Sequence, residues 1–193
     1  MGGSLGTPQT RLASFGRQIR LAAWGKPEGR AHGQPARISG RPRHLQTFKR
    51  VLLKLSGESF CAPGGFGVDP EELELIAKEV VDAASVGAQV AVVVGGGNII
   101  RGAALAAEGH IQQATADYMG MLGTLINGLA LGEKLKALGQ ESRVMSAIEV
   151  RAVAEPFIRG RAIRHMELGR VVVLAAGTGN PVFTADAGAA HRA

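Results

Sequence analysis

Three short apolar runs, each stopped by glycine, restrict this chain more than any other feature. Val51-Leu52-Leu53-Lys54-Leu55 ends in Ser56-Gly57, the run 90–94 ends in Gly95-Gly96-Gly97, and the run 171–176 ends in Gly177. Runs of that length, apolar at successive rather than alternate positions, predict strands buried on both faces. The stretches between them carry helical periodicity instead. Asp69-Pro70-Glu71-Glu72 predicts a helix start, because Asp69 can cap, Pro70 suits the first helical position and Glu72 has capping-box spacing. Leu73, Ile76, Ala77, Val80, Val81 and Ala84 then share one face, and Gly87 closes the helix. A second amphipathic helix is predicted over 115–138, with Met119, Leu122, Ile126 and Leu129 as its apolar stripe and Gly139 as its stop. A strand near 143–148 and a long helix over 155–168 complete the alternation. The pattern is that of an α/β fold with a mainly parallel sheet covered on both sides.

At 193 residues the chain can hold one domain with a sizeable core, or one domain and a tail. The composition, 46% hydrophobic and 20% charged, is ordinary for a globular domain. No apolar run nears the roughly 18 residues that span a bilayer. The one cysteine, Cys61, excludes an internal disulfide and a multi-cysteine metal site, and a reduced, cytoplasmic setting fits best. The net charge of +6 is not a property of the whole chain. Of 22 basic and 16 acidic residues, eight basic and one acidic fall within 1–48, so the remainder carries one net negative charge. A near-neutral body gives no reason to expect nucleic acid as the main partner. Residues 1–48, rich in Gly, Pro, Arg and Ser without an apolar period, are expected to be a disordered extension before a domain over 49–193. An unstructured extension, a transit-peptide-like leader and a nucleic-acid arm all remain open for them.

In a parallel sheet the ligand site lies at the carboxyl ends of the strands. Three of the four predicted strands end there in glycine-bearing loops: Lys54-Leu55-Ser56-Gly57-Glu58, Gly95-Gly96-Gly97-Asn98 and Gly177-Thr178-Gly179-Asn180-Pro181. Glycine leaves backbone N–H groups open to a bulky anion, and Lys54 and Arg101 supply the full charges that phosphate oxygens need. One such loop can as readily be a tight turn as a phosphate cradle; three on one edge with two cations favour phosphate. The familiar signatures are absent. No Gly-Lys-Ser/Thr ends a Walker A motif, and Ile100 and Val182 stand where a dinucleotide fingerprint needs its third glycine. Protein-kinase signatures are missing as well.

The segments Val51-Leu52-Leu53-Lys54-Leu55-Ser56-Gly57-Glu58, Val94-Gly95-Gly96-Gly97-Asn98-Ile99-Ile100-Arg101-Gly102 and Asp117-Tyr118-Met119-Gly120-Met121 resemble bacterial-type UMP kinases, within the amino acid kinase superfamily. So do Val144-Met145-Ser146-Ala147-Ile148 and Ala176-Gly177-Thr178-Gly179-Asn180-Pro181-Val182-Phe183-Thr184. The glycine loops are shared with aspartokinase, glutamate 5-kinase and carbamate kinase; the Met-Gly-Met helix and the Gly-Thr-Gly-Asn-Pro loop are more specific. The resemblance implies a three-layer αβα sandwich, of which 49–193 is the N-terminal part, about two-thirds, with the chain truncated before the adenine pocket. It implies transfer of the γ-phosphoryl group of ATP to UMP with Mg2+, in pyrimidine nucleotide synthesis. A homohexamer, GTP activation and UTP inhibition are also implied.

Carried over by resemblance, Lys54, Leu55, Ser56, Gly57, Gly97 and Arg101 match ATP-side positions, with Lys54 and Arg101 at the transferring phosphate. Gly96, Asp117 and the stretch Thr178, Gly179, Asn180, Pro181, Val182, Phe183, Thr184, Ala185 match UMP-side positions, Asp117 as the acceptor for ribose hydroxyls. No protein metal ligand is assigned. Asp117 can also be read as a helix-start residue, and Thr184 and Asp186 as caps of a following helix. Ala185 stands where the family has a second threonine, so one hydroxyl to UMP is lost. Two alternatives stand beside the kinase: a catalytically silent nucleotide-binding fragment, and another member of the superfamily.

Overall fold

In the computed structural model, which describes residues 19–23, 48–100 and 111–181, the apolar runs form the middle of a six-stranded sheet. In chain order the strands are β1 (Ile19–Ala23), β2 (Arg50–Leu55), β3 (Gln89–Val94), β4 (Ser142–Ser146), β5 (Glu155–Pro156) and β6 (Val171–Ala175). The helices are α1 (Pro70–Ser85), α2 (Gln113–Ala137) and α3 (Arg159–Glu167). Across the sheet the order is β1-β2-β3-β6-β4-β5. All neighbours are parallel except β1, which runs antiparallel along β2 with Ile19 opposite Leu55 and Ala23 opposite Val51. Five residues of the basic extension therefore form an edge strand of the domain's sheet. Apart from Phe48, which is exposed, the rest of that extension lies outside the described residues.

Side chains alternate across a strand, so a run that is apolar throughout feeds two cores. Leu53, Leu55, Val92, Val94, Val173 and Ala175 pack with Ile76, Ala77 and Val80 of α1 and with Leu125, Leu131 and Leu135 of α2. Leu52, Ala91, Val93, Val172 and Leu174 pack on the other face with Ala162 and Met166 of α3. Each fully buried Leu or Val contributes about 1.5–3 kcal/mol relative to exposure, and this sets the strand register. The result is the expected layered α/β architecture, helix–sheet–helix.

Helix α1 follows its sequence signals. Asp69 Oδ1 accepts from the backbone N–H groups of Glu71 (2.8 Å) and Glu72 (3.1 Å). The other half of the capping box is replaced, because the Asp69 N–H donates to the Phe60 carbonyl at 2.8 Å. Two expectations need correction. In α2 the buried side is Met121, Thr124, Leu125, Asn127, Gly128, Leu131 and Leu135. Leu122 and Ile126, expected in the buried stripe, are about half exposed at 45% and 48%. The helix is apolar nearly all round, so periodicity alone did not fix its phase; glycines and polar residues mark the buried side. The long helix over 155–168 is shorter than expected. Pro156 disfavours helical geometry at Glu155, both residues pair with β4 instead, and α3 begins at Arg159.

Candidate active site

Because β2, β3, β6 and β4 run parallel and adjacent, the loops after them meet at one edge. The first two touch through bare backbone. The Gly95 N–H donates to the Leu55 carbonyl at 2.8 Å, continuing the β2–β3 ladder. A Cβ on Gly95 would stand 2.6 Å from the Gly57 nitrogen, and one on Gly57 would overlap the Gly97 nitrogen. Glycine at these positions is required by loop-against-loop packing. Gly97 differs: the nearest atom to a Cβ there is Glu58 Oε1 at 3.6 Å, an ordinary contact. Its φ is not in the left-handed region either. Of the glycines in the two loops, Gly97 is the one whose missing side chain packing does not explain.

Helix α2 seats against both loop systems. A Cβ on Gly96 would lie 2.7 Å from the Thr124 nitrogen and 2.9 Å from the Gly120 carbonyl, so the loop rests directly on the helix backbone. Asn98 and Asn127, both buried, form a reciprocal amide pair. Asn127 Nδ2 donates to Asn98 Oδ1 (2.6 Å) and to the Gly95 carbonyl (2.8 Å). Asn98 Nδ2 donates to Asn127 Oδ1 (3.1 Å) and to the Gly67 carbonyl (2.6 Å). One turn earlier, the Thr124 hydroxyl donates to the Met121 carbonyl (2.7 Å) and accepts from the Ala176 N–H (2.7 Å). Ala176 opens the loop after β6 with φ 63°, a left-handed conformation that non-glycine residues adopt rarely. Gly177 (φ 51°) follows, and Gly179 (φ 82°) sits where a Cβ would be 2.9 Å from the Ala147 carbonyl.

The residues singled out from the sequence fall as follows. Lys54 is half-buried on β2, on the sheet face that carries Leu52. Leu55 is buried in the α1–α2 core, which makes it a packing residue by its side chain. Ser56 Oγ and Ser59 Oγ lie 3.0 Å apart across a short 3-10 turn, Gly57–Phe60. Asp117, in the second turn of α2, is half-buried, and its Oδ1 accepts from Gln113 Nε2 at 2.8 Å. It precedes Thr124 by seven residues, two helical turns, and so extends the face that meets the loops by about 10 Å past Thr124. In the last loop, the Thr178 hydroxyl accepts from the Asn180 N–H at 3.2 Å, closing a local turn that includes Gly179. Asn180 is exposed and Pro181 half-buried at its end. Arg101, Val182, Phe183, Thr184 and Ala185 lie outside the described residues.

Sequence reasoning missed Thr124 and Asn127 as the residues that hold these loops. The available signal was two polar side chains spaced i, i+3 inside Gly123-Thr124-Leu125-Ile126-Asn127-Gly128, an otherwise apolar stretch. Buried polar groups need partners, and these find theirs in loop backbone. Away from the loops, Glu74 of α1 meets Lys134 of α2 (2.7 Å) and Lys78 (2.6 Å). Hydrogen bonds from these ammonium groups, Lys134 first, hold its carboxyl down to about 2 from 4.5. Burial raises the Glu79 carboxyl, with Asp82 adding to the effect. Among the described residues, no three His, Cys, Asp or Glu are grouped to hold a metal ion, and no helix is long and apolar enough to cross a membrane.

The arrangement gathers small-residue loops, a half-buried lysine and a helix-borne carboxylate at one sheet edge, and the chain is similar to known proteins over most of its length. The chain is 56% identical over 161 residues to a uridylate kinase of Rubrobacter xylanophilus, covering 83% of this chain and 63% of that protein. It is 56% identical over 147 residues to a uridylate kinase of Xanthomonas axonopodis pv. citri, covering 76% and 61%. Among solved structures, UMP kinase from Bacillus anthracis superposes with a TM-score of 0.71 at 43% identity, covering 75% of this chain and 59% of that one. UMP kinase from Ureaplasma parvum gives a TM-score of 0.69 at 33% identity, with 75% and 60% coverage. The chain thus spans about three-fifths of the length of the curated relatives it matches. Residues 49–193 match the model of the amino acid kinase family, and the chain belongs to that family.

Proposed function

We propose that the protein is a UMP kinase, which transfers the γ-phosphoryl group of ATP to UMP and yields UDP and ADP for pyrimidine nucleotide synthesis in the cytoplasm. The observation that carries this reading is the joint seating of two loop systems on α2, the helix that also bears Asp117, in a chain 56% identical to proteins named uridylate kinase. The loops after β2 and β3 take the ATP phosphates: Lys54 contributes charge, and N–H groups of Ser56, Gly57 and Gly97 contribute oriented dipoles. Gly96, Asp117 and the loop from Thr178 to Ala185 take UMP, with Asp117 accepting from ribose hydroxyls. Arg101 completes the charge at the transferring group.

The chemistry asks little covalent work of the protein. A phosphate oxygen of UMP attacks the γ-phosphorus in line, the bond to the β–γ bridging oxygen breaks, and ADP leaves with that electron pair. Positioning and charge stabilisation by the cation and N–H groups lower the barrier. A divalent ion, Mg2+ in this proposal, neutralises phosphate charge when it enters with ATP; it needs few protein ligands because it keeps much of its water. We also propose self-association, a hexamer by family resemblance, with GTP and UTP as effectors. The apolar outer side of α2, with Tyr118, Leu122 and Ile126 each about half exposed, is suited to a second copy.

The test is ADP formation measured with UMP, CMP, aspartate and glutamate as acceptors. UMP-dependent ADP release supports the proposal. Release with aspartate or glutamate but not UMP overturns it in favour of another member of the family. UMP binding without turnover would mean a nucleotide-binding chain and no kinase.

A further inference from the structure

We infer that Thr124 is a positioning residue: its buried hydroxyl fixes the left-handed backbone at Ala176 and thereby the conformation of the loop 176–181. Three observations combine. Ala176 is the one described non-glycine residue with positive φ, at 63°, and it is fully buried. Its N–H has left the sheet ladder and donates to Thr124 Oγ1 at 2.7 Å. That oxygen is itself oriented, because its proton goes to the Met121 carbonyl at 2.7 Å, leaving a lone pair for Ala176. A left-handed alanine is unfavourable unless its surroundings hold it, and here the holding group is a side chain on α2.

The consequence is a register between the two halves of the site. Thr124 sets the loop after β6, and Asn127, one turn on, sets the loop after β3 through the Gly95 carbonyl. Both anchors ride on one helix, so the spacing between the loops is set by the rise over three residues, about 4.5 Å. The ligand part of this inference rests on the UMP reading of loop 177–181; the backbone part does not.

Thr124→Val keeps shape and removes the acceptor, Thr124→Ser keeps the acceptor, and Ala176→Gly removes the need for it. The measurements are amide hydrogen exchange across the chain and calorimetric titration with UMP and with ATP. In Thr124→Val, protection of amides in 176–179 should fall about tenfold and UMP affinity by a similar factor, as for loss of one buried hydrogen bond. ATP affinity should stay within about twofold. Thr124→Ser should behave as the parent, and adding Ala176→Gly to Thr124→Val should recover UMP affinity. Unchanged exchange at 176–179 in Thr124→Val would overturn the inference. So would protection lost evenly across the sheet and repaired by neither Thr124→Ser nor Ala176→Gly, because Thr124 would then be a packing residue only. If the parent binds no UMP, yet Thr124→Val still loosens 176–179 and Thr124→Ser restores it, the positioning role stands and the UMP reading falls.

Discussion

The loops after β2 and β3 and the loop after β6 share one edge of the sheet but differ in what chiefly holds them. The first pair is locked by backbone against backbone, with Gly57, Gly95 and Gly96 leaving no room for a single carbon. The third loop carries an alanine in a conformation that favours glycine, and a side-chain hydroxyl from α2 compensates. Where packing does most of the holding, as at Gly57, Gly95 and Gly96, an added carbon is harmful, and the Asn127 amide adds a hydrogen bond to the Gly95 carbonyl. In the third loop a side chain is accommodated at Ala176, where the Thr124 oxygen holds the backbone, though not at Gly179, where a Cβ would crowd the Ala147 carbonyl.

The contrast is broken most directly at Gly57. Gly57→Ala places a carbon on the Gly97 nitrogen, and forcing the loops apart should cost about 3 kcal/mol of stability in urea denaturation. Gly97→Ala, whose new carbon meets only Glu58 Oε1, should change stability by about 0.5 kcal/mol or less while weakening ATP binding. Equal stability losses in the two variants would mean that packing does not distinguish these glycines.

Asn127→Ala tests the side-chain anchor of the loop after β3. It leaves the Gly95 carbonyl without its side-chain donor and Asn98 without its amide partner in a buried setting. A loss of about 2 kcal/mol is expected from the unsatisfied groups. Hydrogen exchange should increase at 95–98 before it increases at 176–179. The reverse order would place the coupling through α2 on the wrong loop.

The outer side of α2 should respond differently again. Ile126→Glu lies opposite the anchors at a half-exposed position, so thermal denaturation should register about 0.5 kcal/mol or less. Sedimentation should nevertheless show reduced self-association, since a charge would be buried in the proposed contact. An unchanged oligomeric state would remove α2 from that interface.

Much of this was legible in the sequence, and the physical reason differs by element. Val51–Leu55, 90–94 and 171–176 could be read as strands because a two-faced core needs unbroken apolar runs, and α1 because Asp69, Pro70 and Gly87 mark its ends. The glycine loops could be placed at one edge because parallel strands end together. What was lost is phase and cause. On α2, Leu122 and Ile126 looked like core because hydrophobicity cannot tell a buried side from an apolar outer side. Gly57, Gly95 and Gly96 looked like anion cradles, yet close approach of neighbouring loops explains them without a ligand. Such an approach depends on which strands are adjacent, and one-dimensional spacing does not carry that information. The short strand at Pro156 and the edge strand Ile19–Ala23 were hidden for the same reason, since pairing partners supply their order.

The smallest effect is expected at the far end of α2, where Lys134 meets Glu74 of α1 ten residues beyond Thr124. The Glu74 carboxyl is held near 2 in the fold against 4.5 ordinarily, so folding favours its charged form. Its contribution is therefore complete above pH 4.5 and fades as the pH falls towards about 2. Glu74→Gln should be slightly less stable than the parent near neutral pH, and the difference should close on acidification through that window. Because the pair is partly exposed, at 27% for Lys134 and 42% for Glu74, about 1 M salt should also shrink the difference. Exchange at 95–98 and 176–179 should not change in this variant, because the contact docks the helix without touching either loop. A change there would show that the loops are held by the seating of α2 as a whole, and the distinction between packed and hydrogen-bonded loops would lose its basis.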